Sequence, residues 1–473
     1  MCKIIVKGKA MDFSKQISSM KDDMVASAIE LIRIKSVQKK GPLDMPFGKE
    51  MDNALNYVLD LAEKMGFAVK KIDGYCGYAE YGEGDIYIGV FGHVDVHDEN
   101  AEDWKYDPYG GIVEKNRIYG CCAVDKGALV AALFAMKAIK DAVGPIKRKV
   151  RLIIGTDERR YYTDMKSYLK NEAPPIAGIT LDGHFPVTYA EKGLVMMEYR
   201  KPLVQEGGEY IEYIKGGKLD NLIPGYCSAK IITDRRSDIV TKVTEYSREN
   251  RSDVNAKLLK DGVLIEAFGR EGHCASIEKG INSNAIMLDF LRYAEIGGGD
   301  VREVIDFLCE KIGFDIYGES LGIAYEDEFS GKTTVNLGIV RMEKDCFSMR
   351  MDCRFPMTCN YIHAIETIQG QFDRAGFEEV ECTHWQPTYF PKNHFLINAL
   401  LEIYREVTGD ISEPVSSNSA SYAKVIPNVA AFGAHYPGEG IIWDQNDEYM
   451  DIDSLELTAN IYAEAIYKLC TEV

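Results

Sequence analysis

The chain has 473 residues, 46 % hydrophobic and 27 % charged, which is enough apolar material for large cores and excludes a disordered chain. It carries 55 basic against 74 acidic side chains, a net charge of −19, which opposes binding to nucleic-acid phosphates and anionic membranes. The longest unbroken apolar run, 128–136, is far too short to span a bilayer, and the length predicts more than one domain.

The first residues carry lysines and no apolar stretch of a secretory signal. With 12 cysteines and no CxxC, they predict a cytoplasmic protein with reduced thiols, and Met11 is a candidate start. Periodicity predicts helices over 24–34 and 51–65, then a buried strand over 86–91 that ends at Gly92. A helix over 127–139, a strand over 150–154, a helix over 162–170 and a strand over 178–181 follow. This alternation argues for an α/β unit with a parallel sheet covered on both faces. After about residue 191 the texture changes. Strand-like pieces at 231–233, 263–268 and 335–340 flank helical stretches at 286–294 and 301–312, as in an α+β unit. The α/β texture returns near residue 387, with a helix over 395–407 and a strand over 429–433. One domain inserted into another explains this order, with 11–190 and 386–473 forming the first domain and 191–385 the second.

Four polar clusters follow strand-like runs in the first segment. They are His93 with Asp95 in GHVDV, Asp125 in YGCCAVDKG, Asp157–Glu158 in GTDERR, and Asp182 in LDGHFP. Ligands of open α/β sheets bind beyond the carboxyl ends of the strands. One His and several carboxylates converging there make a nitrogen–oxygen metal site, with zinc the first expectation. Taken singly, a strand-end His is commonly structural and a strand-end Asp commonly caps a turn. Four such clusters in order are hard to assign to chance.

The order and spacing of these clusters resemble the co-catalytic zinc peptidases related to aminoacylase, ArgE and DapE, and most closely the dipeptidase V branch. The resemblance runs from PFG at 46–48 to NDEY at 446–449. It includes LDGHFPVTYAEKG, GGKLDNLIP, GHCASIEKGIN, DCRFP and PNVAAFGAHYPGE. It implies a catalytic domain with a mostly parallel sheet flanked by helices, plus an inserted α+β lid. His93 and Asp182 match ligands of the first zinc, and Asp125 matches the carboxylate bridging two zincs. Glu158 matches the general base acting on metal-bound water, and Asp95 the carboxylate that orients the His ligand. Asn221, His273 and Arg354 match lid residues that hold the substrate carboxylate and stabilise the oxyanion.

The chain departs from the family pattern at the second zinc. Arg159 and Asp444 stand at two ligand positions. The segment before Asp125 is one residue short, which brings Cys121 and Cys122 nearby as small buried residues. NSASYAK replaces a glycine-rich substrate loop. The expectation is an Arg159–Asp444 ion pair in place of the second zinc. The first site would keep His93, Asp125 and Asp182 as ligands, and the chain would be a monomeric one-zinc hydrolase of dipeptides or N-acyl amino acids. The alternative is an inactive relative that binds a small peptide or amino-acid derivative. His97, His184 and His435 receive no role, and His363, His384 and His394 are read as structural, with Arg160 at the surface.

Overall fold

The computed structural model describes residues 11–472, apart from 207, 208, 344, 441 and 444. The chain divides into two units, one of Met1–Tyr189 with Tyr389–Val473 and one of Ala190–Thr388.

Among the described residues a nine-stranded sheet underlies the first unit, and six of its strands position the site: β1 (Ala68–Ile72), β2 (Cys76–Tyr81), β3 (Tyr87–His93), β4 (Lys149–Gly155), β5 (Ala177–Thr180) and β6 (Val429–Ala431). They lie in the order β1-β2-β4-β3-β5-β6. β4, β3, β5 and β6 run parallel, while β2 pairs with β4 and β1 with β2 in the antiparallel sense. All seven residues of β3 are buried. Both faces of an inner parallel strand are covered, so it reads as one continuous apolar run. β1 escapes sequence reading because four of its five residues are exposed or half-buried and two are lysines. That is the usual dress of a sheet edge.

Helices α1 (Lys21–Arg33), α2 (Lys49–Lys64), α3 (Ala123–Val143), α4 (Thr163–Asn171), α5 (Phe395–Thr408) and α6 (Ile452–Glu472) accompany this sheet. α3 connects β3 to β4 and is buried on all sides from Ala123 to Met136. It packs against β3, α1 and α6, which explains its unbroken apolar composition. Among the described residues, no helix is long and apolar enough to cross a membrane.

The second unit has an antiparallel eight-stranded sheet. Its order is 253–258, 262–268, 226–232, 210–216, 334–343, 346–355, 193–202 and 378–385. Alternate residues such as Val195, Met197 and Tyr199, or Phe347, Met349, Met351 and Cys353, turn to one face. There they join apolar residues of the helices Arg236–Asn250, Ser283–Tyr293, Asp300–Lys311 and Tyr361–Arg374 in a single core.

A candidate metal centre at the strand ends

The parallel strands deliver their polar residues to one end of the sheet. β3 finishes on His93, and two residues on comes Asp95. His93 Nδ1 lies 3.1 Å from Asp95 Oδ1, and both side chains are buried. Asp95 also accepts the backbone N–H groups of Glu158, at 3.3 Å, and Arg159, at 3.0 Å. It therefore ties the end of β3 to the loop after β4. Burial alone would raise the Asp95 pKa, but the His93 charge and these hydrogen bonds hold it well below the carboxylate range. Burial alone would lower His93, yet the charges of Asp95 and Asp125 bring it up to about 9.

The loop after β4 is held by a second carboxylate. Asp164, in the first turn of α4, accepts from Thr156 N at 2.7 Å and Asp157 N at 2.9 Å. Four consecutive N–H groups, 156 to 159, thus end on two buried aspartates. Asp157 is used up in building this loop, since it accepts from Gln38 Nε2 and Thr163 N. Glu158 is left pointing inward, with Oε1 buried and without a hydrogen-bond partner. Burial and the nearby charge of Asp182 push its pKa well above the carboxylate range.

Asp125 sits in the first turn of α3. Cys122, at the helix N-cap, takes a left-handed conformation with φ 57° and offers no cap of its own. The carboxylate of Glu448 serves instead, accepting from Cys122 N at 3.2 Å and Val124 N at 3.1 Å. Cys121 and Cys122 pack with Val96 and Trp104 in a small apolar cluster. Burial pushes the Cys122 thiol up, so it is neither a ready nucleophile nor a ready ligand. β5 leads to Asp182. β6 leads to His435, which pairs with His184 in a short parallel ladder.

Among the described residues two donor groups result. Ligand atoms of His93, Glu158 and Asp182 all lie within 4.8 Å of one another, and so do those of Asp125, Asp182 and His435. His93 Nε2 is buried without a hydrogen-bond partner, 3.7 Å from Asp125 and 4.0 Å from Glu158. A buried imidazole nitrogen and a buried carboxylate oxygen, both lacking partners and facing further carboxylates, fit a divalent metal ion. The sequence reading passed over His435. Its signal was available, because His435 follows a predicted strand just as the other clusters do.

Arg159 lies at the same strand ends, largely buried. Its Nη2 is 2.6 Å from Asp125 Oδ2 and its Nη1 donates to His97 Nε2 at 2.6 Å. His97, given no role from sequence, is a polar neighbour of this arginine. Asp444, the expected partner of Arg159, lies outside the described residues. Arg160 is exposed. His394 caps α5 by accepting from Leu396 N, and His363 is exposed on its helix.

In the second unit, Asn221 and His273 are brought together. Leu222 faces His273 in a two-strand ribbon, and Cys274 N donates to Asn221 O at 3.0 Å. Asn336 Nδ2 anchors that ribbon through Asp220 O and Leu222 O, both at 2.8 Å. Asn336 lies opposite Asp352 in the sheet. Asp352 holds the buried Arg354 guanidinium at 2.9 and 3.0 Å.

The profile of peptidase family M20/M25/M40 matches residues 89–468. The chain is 30 % identical to a Bacillus subtilis (strain 168) protein named "Putative dipeptidase YtjP", over 97 % of this chain and 100 % of that protein. Among solved structures, human carnosine dipeptidase 1 aligns with a TM-score of 0.61 and 14 % identity, over 97 % of this chain and 98 % of that one. The M20 family metallo-carboxypeptidase Sso-CP2 from Sulfolobus solfataricus aligns at 0.57 and 17 %, over 94 % and 98 %. At these identities the structural likenesses speak to the fold.

Proposed function

The chain belongs to peptidase family M20/M25/M40, and from that premise we propose that it hydrolyses dipeptides or related N-acyl amino acids, with Glu158 as the general base. The observation that carries this reading is the inward-facing, partnerless Glu158 carboxyl oxygen beside the partnerless His93 Nε2, with Asp182 in the same group. His93 and Asp182 would hold a divalent ion, with zinc the first candidate for their donor types. Such an ion polarises a carbonyl and makes a nearby water more acidic.

The protein's own groups do the rest. Asp95 keeps the His93 ring oriented through Nδ1. The raised pKa of Glu158 suits a group that takes a proton from water and passes it to the leaving amine. Asp95 and Asp164 hold the backbone under Glu158, so its carboxyl is placed before substrate arrives. To Asn221, His273 and Arg354 we assign recognition of the substrate carboxylate. Their gathering around the Asn336-anchored ribbon and Asp352 favours that assignment. We place the protein in the cytoplasm as a monomer, in keeping with free thiols from Cys76 to Cys470.

The test is Glu158→Gln assayed on a panel of dipeptides and N-acyl amino acids. Turnover should fall about 10²–10⁴-fold, with zinc binding retained. Unchanged turnover would reject Glu158 as the base. A wild-type chain that binds these compounds and cleaves none, with any added metal, would leave a binding protein.

A further inference from the structure

We propose that the Asp125–Asp182–His435 donor group takes no metal ion, because Arg159 supplies its positive charge from within the chain. By donor chemistry this group looks like a second metal site. Two carboxylates and an imidazole offer atoms within 4.8 Å of one another, and Asp125 and His435 are both buried. The Arg159 guanidinium contradicts that appearance. Its Nη2 stands 2.6 Å from Asp125 Oδ2, a short charge-assisted hydrogen bond.

The arginine is held in this position. His97 Nε2 lies 2.6 Å from Nη1. A guanidinium has only donors, so His97 must accept and carries its own proton on Nδ1. The backbone N–H of Arg159 is fixed by Asp95. Guanidinium groups stay charged at any pH the fold would survive. A metal ion entering at Asp125 would therefore meet a fixed like charge and compete with it for the same oxygen. In the His93–Glu158–Asp182 group, by contrast, His93 Nε2 and Glu158 Oε1 make no hydrogen bond. The two groups share Asp182 and differ at Asp125, whose oxygen the guanidinium already holds. The first waits for a metal ion, and the second already has its cation. This assignment rests on the metallopeptidase reading above and narrows it to one ion per chain.

The experiment measures zinc stoichiometry, with activity left aside. The full-length chain is stripped with a chelator, dialysed against zinc chloride, and its bound zinc measured per folded chain. The wild type should bind one ion. Arg159→Gln removes the charge at similar size and should raise the count toward two. Arg159→Lys keeps the charge and should stay at one. A wild-type count of none would sink the metallopeptidase reading on which the proposal rests, and a count of two would overturn the proposal itself. So would an Arg159→Gln chain with native circular dichroism that still binds one. If Arg159→Gln does not fold, the wild-type and Arg159→Lys counts decide, and two ions in either would reject it. A chain that cleaves no peptide yet shows this one-to-two pattern would sink the dipeptidase reading and leave Arg159 as the resident cation.

Discussion

Gly155 ends β4 where an added Cβ would lie 1.8 Å from Tyr422 Oη and 2.4 Å from Asp164 Oδ2. The glycine leaves room for a buried hydrogen bond of 2.5 Å between those two groups. Gly155→Ala must displace both, and with Asp164 goes the carboxylate that holds the backbone of Thr156 and Asp157. We expect a loss of about 1–3 kcal/mol in urea unfolding, together with weaker catalysis. Burial and the neighbouring charge of Asp157 raise the Asp164 pKa to about 7. The sign follows from proton binding. The folded chain holds a proton on Asp164 that the unfolded chain gives up near pH 4, so this contribution is complete in acid and is lost as pH rises from about 4 to about 7. Asp164→Asn should therefore flatten the decline of stability over that window, measured by denaturant melts at successive pH values. An unchanged slope would show that Asp164 does not bind the proton. Sequence alone could pick out His93, Glu158 and Asp182, because each follows an apolar strand. It could not show that Asp157 serves its own loop while Asp164 holds the same loop from eight residues away. Nor could it show that His97 meets Arg159, since contacts across 62 residues leave no local pattern.

Helix ends show how elements fix these positions. The N-terminus of α3, which carries Asp125, is capped by Glu448 from the far end of the chain. The next residue along, Lys126, is fully buried and donates to Leu31 O and Ile34 O, both at 2.9 Å, closing the C-terminus of α1. Burial lowers its pKa to about 8. Lys126→Met would leave those carbonyls short of a buried donor and should cost about 1–3 kcal/mol. The same variant should lose the gain in stability that the wild type makes as pH rises from about 8 toward 10.5, where the unfolded chain gives up its proton last. Thermal melts at pH 7 and pH 10 check both statements. The predicted helices at 24–34, 51–65 and 395–407 lie over observed helices with ends shifted by a few residues. The helix predicted over 127–139 starts earlier, at Ala123, because Glu448 caps it from the far end of the chain and Cys122 offers no capping side chain.

At the scale of the molecule, the first unit gives up the chain at Tyr189 and takes it back at Tyr389. Tyr189 O accepts from Phe390 N at 2.8 Å, so exit and return are neighbours. A short glycine–serine turn can span such a gap. A chain with 190–388 replaced by that turn should fold cooperatively and bind zinc, while losing peptide turnover. The separate 190–388 segment has its own core and should melt as one unit. Failure of both pieces to fold would show that neither unit stands alone. The sequence changes texture near residue 191, and the units divide at Tyr189–Ala190 and Thr388–Tyr389. The pairing of β6 beside β5 was not legible in the sequence, since their partners lie some 250 residues apart.

That pairing has a consequence for synthesis. β6 lies against β5 and also meets Thr188 through Ala431, so the first half-built sheet waits for a strand near the end of translation. At about 5–20 residues per second, a ribosome leaves the β5 edge uncovered for roughly 12–50 s. An open apolar edge for that time invites wrong pairing with other nascent chains. Ribosome-stalled chains ending before Val429 should resist protease over 190–388, yet be cut readily before Tyr189 and be captured by holding chaperones. Chains released with β6 in place should escape both.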